Sequence, residues 1–203
     1  MTKPIGLKRA CVFLTLLFCS SLVLAGGKNE TAVTIWLVII NDPGACPGEP
    51  CMEEDIFGSL PDNPTKATVC YLTGQSVQAN GRATFAGRFG EGTNYACFFP
   101  DADPAYGLMD PDAAEVHVVL QEHGYALKSG SGLEEQVSYF EANCTPACTD
   151  SQFTVHVAGA ADADGKSMTK MYDFNDGSML KGTTSTLTRE ESGIRMVVHT
   201  RLK

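Results

Sequence analysis

The chain has few of the residues that usually announce a chemistry. Among 203 residues there are four histidines, one tryptophan and 15 Lys+Arg, against 24 Asp+Glu. So little positive charge argues against nucleic acid or anionic lipid as a partner, since both are recognised through clustered Lys and Arg. No cysteine pair has C-x-x-C spacing, which disfavours zinc-ribbon and redox readings. Serines such as Ser138 and Ser151 have no G-x-S-x-G context, so a hydrolase nucleophile is not in evidence. Helical periodicity is sparse, and no fixed-period repeat emerges.

The N-terminus reads as an export signal. Lys3, Lys8 and Arg9 precede an apolar stretch (Ala10 to Phe18, then Leu22 to Leu24) that ends on the small-residue pattern Val23-Leu24-Ala25. The stretch is too short and too serine-interrupted for a membrane span. Bulky Phe18 disfavours lipidation of Cys19. Cleavage after Ala25 is expected, giving a secreted or periplasmic chain of residues 26–203 with no membrane span. That is length enough for a single domain with a substantial core. Without the leader, 12 Lys+Arg face 24 Asp+Glu, a net charge of −12.

Six cysteines remain, an even number in an exported chain, so disulfides are expected. Cys46 and Cys51 bracket a Pro/Gly loop, and Cys144 and Cys148 bracket Thr-Pro-Ala. Each pair can close a local loop, which leaves Cys70 and Cys97 for each other. Six cysteines allow 15 pairings, so this connectivity is an inference.

Residues 32–40, A-V-T-I-W-L-V-I-I, are apolar and β-branched, and predict a strand buried on both faces with Trp36 in the core. Residues 43–64 are loop-like. Further strands are expected over 67–73, 76–78 and 82–89, with Asn80-Gly81 as a turn. The loop 94–108 carries Tyr95, Phe98, Phe99 and Tyr106. These fit either a binding lip or, preferably, a mini-core over one end of a sheet. Residues 133–140 fit a short helix or an extended segment. Strands are again expected over 152–158, 166–174, 182–189 and 194–200, with 159–165 as a surface linker. Short strands and tight turns predict an all-β fold, an antiparallel, disulfide-stapled β-sandwich or barrel with long loops.

The strongest strand signal in the second half is D-A-A-E-V-H-V-V-L-Q-E-H-G, residues 112–124. It places Val116, Val118 and Leu120 on one face, and His117, Val119, Gln121 and His123 on the other. His117 and His123 lie about 20 Å apart along an extended strand and cannot share a metal. His117 with His156 or His199 is the remaining candidate for a copper or zinc site. The competing reading, satisfied structural histidines, is favoured. The carboxylate pairs Glu53/Asp55 and Glu134/Glu135 read as solvated surface. D-A-D-G (162–165) lacks the twelve-residue ligand pattern of a calcium loop.

Several segments resemble an uncharacterised family of small exported bacterial proteins. They are V-T-I-W-L-V-I-I-N-D-P-G-A-C (33–46), N-G-R-A-T-F (80–85), M-D-P-D-A-A-E-V-H-V-V-L-Q-E-H-G (109–124), the C-x-x-x-C followed by Q-F-T-V-H (144–156), and S-T-L-T-R-E-E-S-G-I-R-M-V-V-H-T-R-L (185–202). In that family the last of these hairpins comes first and leads into the V-T-I-W strand. The resemblance therefore implies a circular permutation, with 159–165 as the new connection ahead of a C-terminal β segment, 166–203. A strand-swapped assembly and a truncated tandem array are the alternatives. The bacterial likeness also makes glycosylation at the Asn29 and Asn143 sequons improbable. A looser likeness to chordin-type repeat domains rests on G-x-A-T-F and a later histidine strand. The functions expected are a non-enzymatic surface, matrix or binding module with an extracellular ligand, a histidine-based metalloprotein, or a self-associating strand-swapped subunit.

Overall fold

The computed structural model describes residues 30–57, 62–78, 81–99, 105–127, 131–138 and 147–202. The expected leader, Asn80 of the first turn, and Cys144 lie outside them. Among the described residues nine antiparallel strands form one sheet: β1 (Glu30–Ile40), β2 (Ala67–Gln78), β3 (Arg82–Gly90), β4 (Cys97–Phe98), β5 (Glu115–Tyr125), β6 (Thr149–His156), β7 (Lys166–Asp173), β8 (Met179–Glu190) and β9 (Gly193–Arg201). Their spatial order is β3-β9-β8-β7-β6-β5-β1-β2-β4.

That order forces curvature. β3 stands at one end of the sheet and β2 next to the other, yet only a short turn joins them, so the two ends must meet. The Gln75 side chain reaches the Thr84 carbonyl at 3.3 Å across the meeting. Gly87 admits the approach, because a Cβ there would lie 2.6 Å from Leu72 Cδ1. One apolar core fills the inner side, drawing Val33, Ile35, Leu37 and Ile39 from β1, Val116, Val118 and Leu120 from β5, and Leu187, Met196 and Val198 from β8 and β9. The fold is all-β, antiparallel and disulfide-linked, as expected.

Two disulfides close as the sequence suggests, Cys46–Cys51 and Cys70–Cys97. The second ties β2 to the short β4. The expected segments 67–73 and 76–78 are one strand, β2. The loop 43–64 is less irregular than its five prolines imply, since it holds a 3-10 turn (Pro43–Ala45) and a helix α1 (Glu53–Phe57). Residues 133–140 fall largely in a second helix, α2 (Ser131–Val137). The terminal hairpin β8–β9 pairs within the chain, against β7 on one side and β3 on the other.

A candidate apolar groove on the outer face of the sheet

Alternation along a strand sends one set of side chains into the core and the other outward. On β1 the outward set is Thr34, Trp36 and Val38. Trp36 therefore does not sit in the main core, as its apolar surroundings suggest, but half-buried on the outer face. The antiparallel register lines up its neighbours. Phe98, Val69, Val38, His117 and Val155 are successive cross-strand partners over β4, β2, β1, β5 and β6, and Tyr71, Trp36, Val119 and Phe153 form the row beside them. Cross-strand partners share a face, so two mostly apolar rows run side by side across the outside of the sheet.

β6 is the informative strand. It turns Gln152, Thr154 and His156 into the interior, where they are 3%, 1% and 0% exposed, and presents Phe153 and Val155 outward. A strand with one wet face does the reverse. The outer apolar side chains bound a groove of about 750 Å³.

The segment 50–57 roofs one end of the groove. Its loop is closed by Cys46–Cys51, and Ile56 packs into a second small core with Ile40, Ala67 and Phe99. Phe57 stacks on Phe99 with ring centroids 5.5 Å apart. The roof is pinned to the sheet by the Cys51 N–H, which donates to Glu115 Oε1 at 2.9 Å. His117 Nε2 donates to the same oxygen at 2.6 Å. Glu115 is fully buried, and its Oε2 has no hydrogen-bond partner among the described residues. The loop aromatics thus divide. Phe99 joins a mini-core, Phe98 lines the groove, and Tyr95 and Tyr106 are exposed.

Toward the opposite end, Trp36 Nε1 donates to Thr34 Oγ1 at 2.8 Å, and that hydroxyl lies 2.7 Å from His123 Nε2. His123 Nδ1 is 3.2 Å from Cys148 Sγ. A hydroxyl that accepts from the indole can donate onward to Nε2, which leaves Nδ1–H to face the sulfur. Burial holds the His123 pKa below its ordinary value, against the pull of Asp150. Helix α2 covers the sheet beyond, where Tyr71 donates to the Val137 carbonyl at 2.5 Å.

The three histidines considered for a metal are not brought together. His117 is in the groove. His156 pairs with Val116 on the inner face, bonded to Ser167 and Ser185 hydroxyls at 2.9 Å each. His199 is exposed on β9, 2.9 Å from Thr84 Oγ1. The two rings on β5 and β6 therefore point to opposite sides of one sheet. Among the described residues, no group of three or more His, Cys, Asp and Glu could hold a metal ion. No described helix is long and apolar enough to cross a membrane.

The fold and groove define a class, an all-β, disulfide-linked domain with an apolar groove on its sheet. Comparison with family models, curated proteins and solved structures finds no match for the chain. The groove as a whole was missed in the sequence because each strand contributes only one to three of its lining residues. The outward pair Phe153 and Val155 beside inward Thr154 and His156 was visible as alternation, but the direction of the interior was not.

Proposed function

We propose that the protein is an exported, non-enzymatic binding module whose groove takes a small apolar ligand. The observation that carries this is the inverted strand β6, with Phe153 and Val155 turned outward in register with Val119, Trp36 and Val38. Leaving such a surface in water forgoes about 25 cal/mol for each Å² that a ligand would cover. The groove's volume of about 750 Å³ falls within the range of small-molecule sites, roughly 300–1,000 Å³. The N-terminal leader pattern and the disulfides support export, since such bonds persist in oxidising compartments.

The lone tryptophan supplies the test. Trp36 lines the groove and is the only tryptophan in the chain, so its emission reports on this site alone. Titration with n-octanol is expected to shift that emission saturably, at one ligand per chain. Val119→Arg, which places a charge in the middle of the groove, is expected to abolish the response while the melting temperature is held. An unchanged Trp36 signal up to the solubility limit of octanol contradicts the proposal.

A further inference from the structure

Resting on the groove as the binding site, we infer that its ligand carries a protonated amine, or an equivalent N–H cation, at the end roofed by residues 50–57. Three observations converge on that end. Glu115 Oε1 accepts from both the Cys51 N–H and His117 Nε2, so His117 presents its other nitrogen away from the carboxylate. Nδ1 makes no hydrogen bond among the described residues, and His117 lines the groove. In the neutral ring that nitrogen is an acceptor. The fully buried Glu115, whose other oxygen holds the His117 ring, retains a carboxyl oxygen, Oε2, that has no hydrogen-bond partner among the described residues. Buried polar groups are almost always paired, so an orphan oxygen marks a place where a hydrogen-bond donor is wanted.

The rest of the lining agrees. The charged residues bordering the groove are Glu53, in the roof, and Asp150, at the far end, and no Lys or Arg borders it among the described residues. Trp36 and Phe98 stand edge to face, with centroids 6.1 Å apart, and supply π-electron density of the kind that attracts cations. An amine at this end donates N–H to His117 Nδ1, lies within the field of Glu115 and Glu53, and leaves its apolar body along Val119 and Phe153. An anionic head group at this end would face Glu53 and find no Lys or Arg among the described residues.

A matched series separates the two levels of the claim. The full chain is titrated at about pH 8, where an alkylamine is still protonated, with n-octylammonium, n-octanol and n-octanoate, reading Trp36 emission. The expected order is ammonium about tenfold tighter than the alcohol, as one charge-assisted hydrogen bond contributes, with the carboxylate weakest. His117→Phe is expected to weaken ammonium far more than the alcohol, bringing the two to a similar level. Glu53→Gln, a surface change that leaves the fold alone, is expected to weaken ammonium alone by a few-fold. If the alcohol binds as tightly as ammonium, or His117→Phe weakens both equally, the amine inference falls and the apolar groove stands. If octanoate binds tightest, His117 acts as a donor and the inference is reversed. If none of the three binds, the groove itself is not the site.

Discussion

His156 is the residue whose environment departs furthest from its sequence appearance. It reads as the polar side of a half-exposed strand, yet it is fully buried between hydroxyls of Ser167 on β7 and Ser185 on β8. Burial, with the Arg189 guanidinium adding to it, lowers its pKa from 6.5 to about 4. The unfolded chain therefore binds a proton between those values that the folded chain refuses, so stability falls as pH drops through that window. The loss attributable to this ring is roughly 3 kcal/mol when complete, at 1.36 kcal/mol per pKa unit. His123 is shifted in the same direction and contributes with the same sign. His156→Asn is expected to lose about 1–2 kcal/mol at neutral pH through its hydroxyl partners and to show a distinctly shallower decline between pH 6.5 and 4 in urea melts. An unchanged slope contradicts the assignment. The alternation that buries His156 was legible in Q-F-T-V-H-V-A. Its serine partners lie 11 and 29 residues away, and sequence periodicity carries no information about such distant contacts.

Elements were easier to read than their surroundings. Every strand but the two-residue β4 was visible as a β-branched or alternating run between turn residues, and the local pair Cys46/Cys51 followed from its bracketing of a Pro/Gly loop. What could not be read was the service these elements perform, because it depends on register. The two disulfides illustrate this. Cys70–Cys97 spans 27 residues inside the main core, and Cys46–Cys51 spans five in the groove roof. Chain-entropy arguments give about 3.5 kcal/mol for the first and about 2 kcal/mol for the second. Replacing both cysteines by serine is expected to lower the denaturation midpoint more in the first pair, whereas the second pair should weaken ligand binding more. Equal effects on binding would show that the roof takes no part. At the far end of the sheet, Gly74 lets α2 close over the strands, since a Cβ there would lie 2.5 Å from the Val137 carbonyl oxygen. Gly74→Val is expected to lift α2, seen as faster amide exchange across residues 132–137 and a loss of about 1–3 kcal/mol. Protection unchanged from wild type contradicts this packing.

The whole molecule is organised by the meeting of β2 and β3, and the two ends of the described chain are found there as well. Glu30, first in β1, pairs with Gln78 at the end of β2, and Leu202 N–H donates to the Gly81 carbonyl at 3.3 Å. Both ends thus flank one turn. Neighbouring ends of this kind are what a circular permutation requires. We propose that a variant joining residue 202 to residue 30 through about five Gly/Ser residues, opened within the exposed 159–165 turn, folds with an unchanged β spectrum. A chain that fails to fold sinks that proposal. Sequence order alone could not show the curl, because strands adjacent in the chain, such as β2 and β3, stand far apart in the hydrogen-bonded order.

The proposed binding role rests above all on the outer face of this curled sheet being a ligand site. The most direct test is to record intermolecular nuclear Overhauser effects with n-octylammonium bound to the full chain. Contacts from the alkyl tail to the Trp36 indole, Val119 and Phe153, with the head-group methylene near the His117 ring, are the expected result. Contacts confined to exposed methionines outside the groove, such as Met168 and Met179, which are 70% and 56% exposed, would contradict it and leave the groove without a function.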